Sequence, residues 1–124
     1  MDPWKMTETE LRAEVLKLCA DRDLWPVALR PEKFNQREVC NKGFPDLMVY
    51  GAGGVLFREL KAMKGSLASA QSTWKNRLLS GGHDWSVWTP ADLGSGRIAS
   101  ELEALEAVGA CTNEFTFALI RRDC

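Results

Sequence analysis

Leu11, Val15 and Leu18 recur at helical spacing and predict a helix with one buried face. Thr7-Glu8-Thr9-Glu10 ahead of them reads as a capping box, with Thr7 at the cap and Glu10 able to return a bond to the Thr7 amide. The helix is expected to end near Asp21–Asp23. Trp25-Pro26 then breaks it, and Val27-Ala28-Leu29 is short enough for a strand. Two apolar runs, Asp46–Tyr50 and Val55–Lys61, flank Gly51-Ala52-Gly53-Gly54, the pattern of an antiparallel hairpin. Their apolar character suits the centre of a sheet rather than an exposed edge. A second helix is predicted over Ala68–Ser80, stopped by Gly81-Gly82, with Trp74, Leu78 and Leu79 packing it on the sheet. Asp84–Trp88 reads as a strand that Thr89-Pro90 ends. Ile98, Leu102 and Leu105 mark a third helix over Ile98–Val108, and Phe115–Ile120 a last strand. The order α-β-β-β-α-β-α-β describes an α/β domain around one mixed sheet.

Length limits this to one domain over residues 1–124. Apolar residues at 45% and charged residues at 27% are globular rather than disordered proportions. A net charge of −1 argues against a protein coated in basic residues for sequence-blind DNA packing. It leaves room for clustered carboxylates offset by basic residues elsewhere. Cys19, Cys40, Cys111 and Cys124 form no CxxC pair and have no zinc-like spacing to His83. Cys19 falls in the apolar stripe of the first helix, as a buried free thiol would. Met1–Thr9 is polar, and no apolar run reaches membrane-spanning length. The expectation is a cytoplasmic protein with reduced thiols and no membrane partner.

The candidate chemistry lies in the hairpin. Side chains alternate along a strand, so Glu59 and Lys61 share one face while Leu60 points to the other. Asp46 opens the preceding strand directly after Pro45. In an antiparallel hairpin the start of one strand lies beside the end of the next, so Asp46 approaches Glu59. Two acids and an ammonium group at one point suit a hard divalent cation, which relieves the repulsion between the acids. Such a cation polarises a phosphate and acidifies a bound water, and Lys61 can orient or help deprotonate that water. Phosphodiester hydrolysis uses all three parts. The alternative from spacing alone is a strand-end salt bridge between Glu59 and Lys61.

Gly43-Phe44-Pro45-Asp46-Leu47, Glu59-Leu60-Lys61, Gly65 and Leu67, Gln71 and Trp74, and Gly82 with Val87-Trp88 together resemble the VRR-NUC (virus-type replication–repair nuclease) family of the PD-(D/E)XK superfamily. The similarity runs from about Thr7 to Leu93 and is closest to stand-alone phage and bacterial members. It implies a restriction-endonuclease-like core, Mg²⁺ or Mn²⁺ as cofactor, and endonucleolytic cutting of branched or flapped DNA, including Holliday junctions. It also implies a homodimer, and the bacterial host cytoplasm if the chain is phage-encoded. The family's aspartate, glutamate, lysine and helix glutamine fall on Asp46, Glu59, Lys61 and Gln71, and the Leu60 carbonyl becomes a further metal ligand. The family's first-helix glutamate, a further catalytic and metal-binding acid, falls on Glu8, because Glu8-Thr9-Glu10-Leu11 sits where the family pattern begins; Glu14, across the apolar stripe, is the reserve. Glu8 could equally be an acid favouring a helix N-terminus. Arg12 departs from the family, which often has Gln there, and residues 30–42 match no family pattern.

Gln71 is expected to orient Lys61 or an attacking water. Lys64 and Lys75, and the basic residues of the 30–45 stretch, read either as solvated side chains or as phosphate contacts. His83 reads as a turn residue, and Trp74, Trp85 and Trp88 as core rather than stacking platforms. Two further classes compete with the nuclease: a binding module for branched DNA or a replication protein, and a sequence-specific restriction-type enzyme.

Overall fold

The capping box forms as the sequence predicts. Thr7 Oγ1 accepts from the Glu10 amide at 3.1 Å, and Glu10 Oε1 accepts from the Thr7 amide at 2.9 Å. Helix α1 (Glu8–Ala20) follows, in a computed structural model that describes residues 2–28 and 42–112, with side chains to residue 106. Its fully buried positions are Leu11, Val15 and Cys19, while Leu18 is half-buried. The stripe therefore steps by four and four rather than four and three, and carries the thiol inward. Burial pushes the Cys19 pKa up to about 11, against a smaller pull from Arg22, so it packs as an uncharged thiol.

Four strands make one mixed sheet in the order β1 (Trp25–Ala28), β2 (Leu47–Gly51), β3 (Gly54–Leu60) and β4 (Asp84–Trp88). β1 and β3 run antiparallel to β2, and β4 runs parallel to β3. The hairpin is central, as its apolar character requires. Its turn is tighter than the four-residue turn expected. Gly51 pairs with Gly54, leaving Ala52-Gly53 as the loop. The Gly53 amide donates to the Leu105 carbonyl at 2.9 Å, and a Cβ on Gly51 would stand 2.6 Å from the Leu24 side chain. The turn is thus pinned against the last helix.

Trp25 and Pro26 begin β1 instead of merely ending α1. Among the described residues β1 is an edge strand, where a residue without an N–H costs no ladder bond. Leu29, the 30–41 stretch and the Phe115–Ile120 strand lie outside the described residues. Helix α2 (Ser69–Ser80) lies over β4 and connects β3 to it. Leu78 is buried and Leu79 is exposed, so only the former packs the helix down. Pro90, expected only as a breaker, starts the short helix α3 (Pro90–Gly94): its fixed φ suits the first helical position, and Asp92 Oδ2 accepts the Thr89 amide at 2.8 Å.

Helix α4 (Arg97–Thr112) sends Ile98, Leu102 and Leu105 into the core, with Leu11, Val15, Leu47, Val49, Leu56, Leu60 and Trp88. One face of the sheet is thereby packed between α1 and α4. Arg58, almost fully buried on that face, is fully engaged. It donates to the Glu101 carboxylate and to the carbonyls of Phe57 and Asp84, and pairs with the Asp84 carboxylate at 3.0 Å. Glu101 also accepts from Trp88 Nε1 and from Arg97. Burial would raise the Glu101 pKa, but the bonds from Arg97, Arg58 and Trp88 overcome it and hold the carboxyl below its usual range.

Removing Glu101 takes from a buried guanidinium one of its two carboxylate partners, so Glu101→Ala should destabilise the fold by about 2 kcal/mol. Glu14→Ala breaks only the exposed Glu14–Lys17 pair and should cost under about 0.5 kcal/mol. Urea unfolding of the two variants checks the contrast.

Candidate functional site

Pro45 and Asp46 lie where the β2–β3 ladder runs out. The last ladder pair is Leu47 with Arg58, so Asp46 falls beside Glu59 and Pro45 beside Leu60. Pro45 has no N–H to offer across the sheet. The Leu60 carbonyl therefore receives no bond from Pro45, while the Leu60 amide donates to Asp46 Oδ2 at 2.9 Å. The Leu60 carbonyl leaves the strand on the same side, towards this acid. The adjacency of proline and aspartate thus ends a sheet ladder and fills its last donor with a carboxylate.

Alternation then puts Asp46, Glu59 and Lys61 on the face opposite the α1–α4 core. Asp46 is 8% exposed and Glu59 only 2%. Glu59 Oε2 accepts from Gln71 Nε2 at 2.7 Å. The amide cannot be reversed without loss, because Gln71 Oε1 accepts the Ala68 amide at 2.8 Å and so caps α2 where Ala68 has no side chain to do it. Gln71 therefore holds Glu59, a different partner from the lysine or water expected. Glu59 Oε1 is sealed from solvent with no hydrogen-bond donor among the described residues.

Burial pushes the Glu59 pKa up to about 9. The neighbouring Asp46 adds to the rise, Lys61 opposes it, and Glu8 adds a smaller push. Two ionised carboxylates side by side repel, so this arrangement favours a proton on Glu59, or a cation between the acids. Oε1 of Glu59, the Asp46 carboxylate and the Leu60 carbonyl are hard oxygen donors, which fit Mg²⁺ or Mn²⁺ with water and phosphate oxygens completing the shell. Among the described residues no three His, Cys, Asp or Glu side chains form a ready cage. Glu8 bears on Glu59 through its charge, whereas Glu14 is taken up by Lys17 at 3.2 Å.

Glycines bring these parts together. Gly43, at φ 83°, lies so close to α2 that a Cβ would stand 2.4 Å from the Ala70 carbonyl carbon. Phe44 meets Trp74 edge-on at 4.8 Å and Phe57 at 6.1 Å, fastening the approach to Asp46 onto the helix that carries Gln71. After β3, Gly65 folds back on the Lys61 stem, where a Cβ would lie 3.1 Å from Lys61 Cδ. Lys61 also continues the sheet through its amide, which donates to the Trp88 carbonyl at 3.1 Å.

Other candidates sort by contact. Lys64 is exposed, and Lys75 lies over the Trp85 ring at 5.5 Å. Trp88 is core, Trp74 and Trp85 half-buried. His83 is the turn residue expected: its amide closes α2 on the Leu78 carbonyl, and its ring meets Phe57 edge-on at 5.6 Å. Arg12, one turn beyond Glu8, buries its Nε with no acceptor among the described residues. Its place on the Glu8 side of the helix was the only sequence signal for it.

A pKa raised on folding means the folded state holds the proton more tightly. Its contribution is complete below the unfolded carboxyl range and is lost as pH rises towards 9. In EDTA the thermal midpoint should therefore fall between about pH 5 and pH 9, and Glu59→Gln should flatten that slope. Gln71→Ala should weaken Mn²⁺ binding about tenfold or more, read by calorimetry at constant pH.

No family model matches the chain, and no curated protein does. Among solved structures it is similar to a "VRR_NUC domain protein", with 19% identity over 82% of this chain and 91% of that one and a TM-score of 0.62. At this identity the likeness speaks for the path of the backbone. The chain has the α/β, restriction-endonuclease-like fold of a VRR-NUC domain protein.

Proposed function

We propose that this chain is a divalent-metal-dependent endonuclease of the VRR-NUC family that hydrolyses phosphodiester bonds in DNA. The observation that carries the reading is the sealed, donorless Oε1 of Glu59 beside Asp46, on the same sheet face as Lys61. A purely structural acid in that place would have a donor. A strand-end salt bridge would leave Glu59 in solvent, not 2% exposed.

In this reading Asp46, Glu59 and the Leu60 carbonyl hold Mg²⁺ or Mn²⁺, with Glu8 supporting the charge of the site. The bound ion supplies Lewis acidity towards a phosphate oxygen and lowers the pKa of a coordinated water. Lys61 orients the nucleophilic water or stabilises charge growing on the phosphorane. Gln71 keeps the Glu59 carboxylate aimed at the site. The resemblance of the motif residues to stand-alone family members supports branched DNA, junctions or flaps, as substrate, in replication, repair or recombination of a phage or bacterium. Two copies per particle would cut both strands of a symmetric junction.

Purified protein should cut at least one of a four-way junction, a 5′-flap and a 3′-flap with Mg²⁺ or Mn²⁺, and none in EDTA. Lys61→Ala should lower the rate at least about a hundredfold. Unchanged cutting by that variant removes the reading.

A further inference from the structure

Two faces of the sheet differ sharply. Leu47, Val49, Leu56 and Leu60 enter the core; on the opposite face α2 lies over β4, Gln71 reaches Glu59 and Phe44 packs on Phe57, while Trp25, Val27 and Tyr50 are exposed. Strand register arranges that face in rows. Trp25, Tyr50 and Val55 form the first, and Val27, Met48 and Phe57 the second. Asp46 and Glu59 form the third, one step past Leu47 and Arg58. Successive rows are two residues apart, so the first lies ~13 Å from the carboxylates. Trp25 is 69% exposed, Tyr50 59% and Val27 47%.

Exposed aromatic side chains on an edge strand invite unwanted pairing unless something covers them. The first two rows contain no acid, so they do not repel a phosphate chain as the third row does without its cation. Trp25 and Tyr50 are directly paired across the strands, which sets two exposed aromatic side chains next to each other on one face. Base stacking on such rings is tolerant of sequence. At about 3.4 Å per nucleotide, ~13 Å is about four stacked nucleotides, a short reach from the reacting phosphate.

We infer that Trp25 and Tyr50 are a stacking platform for unpaired bases, making this face select DNA with a single-stranded arm next to the cleaved phosphate. The inference rests on the nuclease reading and names the specificity determinant of that site. Continuity with the carboxylate row, and rings rather than aliphatic groups at the most exposed positions, favour nucleic acid over a second copy of the chain as the occupant.

The test is fluorescence anisotropy in EDTA, with a blunt duplex and the same duplex bearing a thymidine arm. Trp25→Ala and Tyr50→Ala should each weaken binding of the armed probe about tenfold, with blunt duplex unchanged and Trp25→Phe close to wild type. With Mg²⁺, the same variants should raise KM for an armed substrate and leave kcat in place. Equal binding of the armed probe by wild type and the double variant overturns the platform. So does a parallel loss on both probes, or conversion of a wild-type dimer to a monomer by the double variant. Because binding is read without metal, a chain that cuts no DNA defeats the nuclease reading while the anisotropy still judges the platform.

Discussion

A carboxyl group taken out of water needs a proton, a cation or a set of donors, and the architecture of this protein is organised around one that lacks the last. Glu59 sits at the end of the central strand with one oxygen held by Gln71 and the other sealed without a donor among the described residues. Each group around it is held by a contact of its own. Asp46 is tied to the Leu60 amide, Gln71 to the first turn of α2, and the approach to Asp46 to α2 through Gly43 and Phe44. The repulsion between the two acids is consequently not relaxed by movement. It is available to a cation, which gains what the proton would otherwise supply.

The reverse face of the same strand explains how β3 bears this charge without yielding. Arg58, adjacent to Glu59 in sequence, points to the opposite side and is saturated by Glu101, Asp84 and two carbonyls. Glu101 in turn gathers Trp88 and Arg97. A satisfied polar network therefore locks α4 to β3 and β4 behind an unsatisfied acid pair in front. The two are separated only by the thickness of the sheet, and only the front one has capacity left for a ligand.

The hairpin was legible before any coordinates because two apolar runs and a glycine-rich turn allow one pairing, and the period of two then decides which side chains share a face. That is why Asp46, Glu59 and Lys61 could be brought together on paper. The capping box and the buried face of α4 were readable for the same reason, being local or periodic. The limits came where neighbours at long range decide. Leu18 and Cys19 are both apolar enough for the α1 stripe, and the packing against the rest of the core chose the cysteine. Pro26 reads as a breaker until the strand is known to be an edge. Leu79 reads as core until α2 is placed.

Sequence alone determined the order of the elements from α1 to β4, the central hairpin and the common face of the acids and the lysine, because these follow from local periodicity and from the reach of a tight turn. Tertiary structure decided that Gln71 binds Glu59 rather than Lys61, that Arg58 is neutralised by a helix more than forty residues away, and that Trp25 and Tyr50 stand uncovered. Those outcomes depend on which groups meet across the fold and how much water remains between them. No pattern along the chain records either.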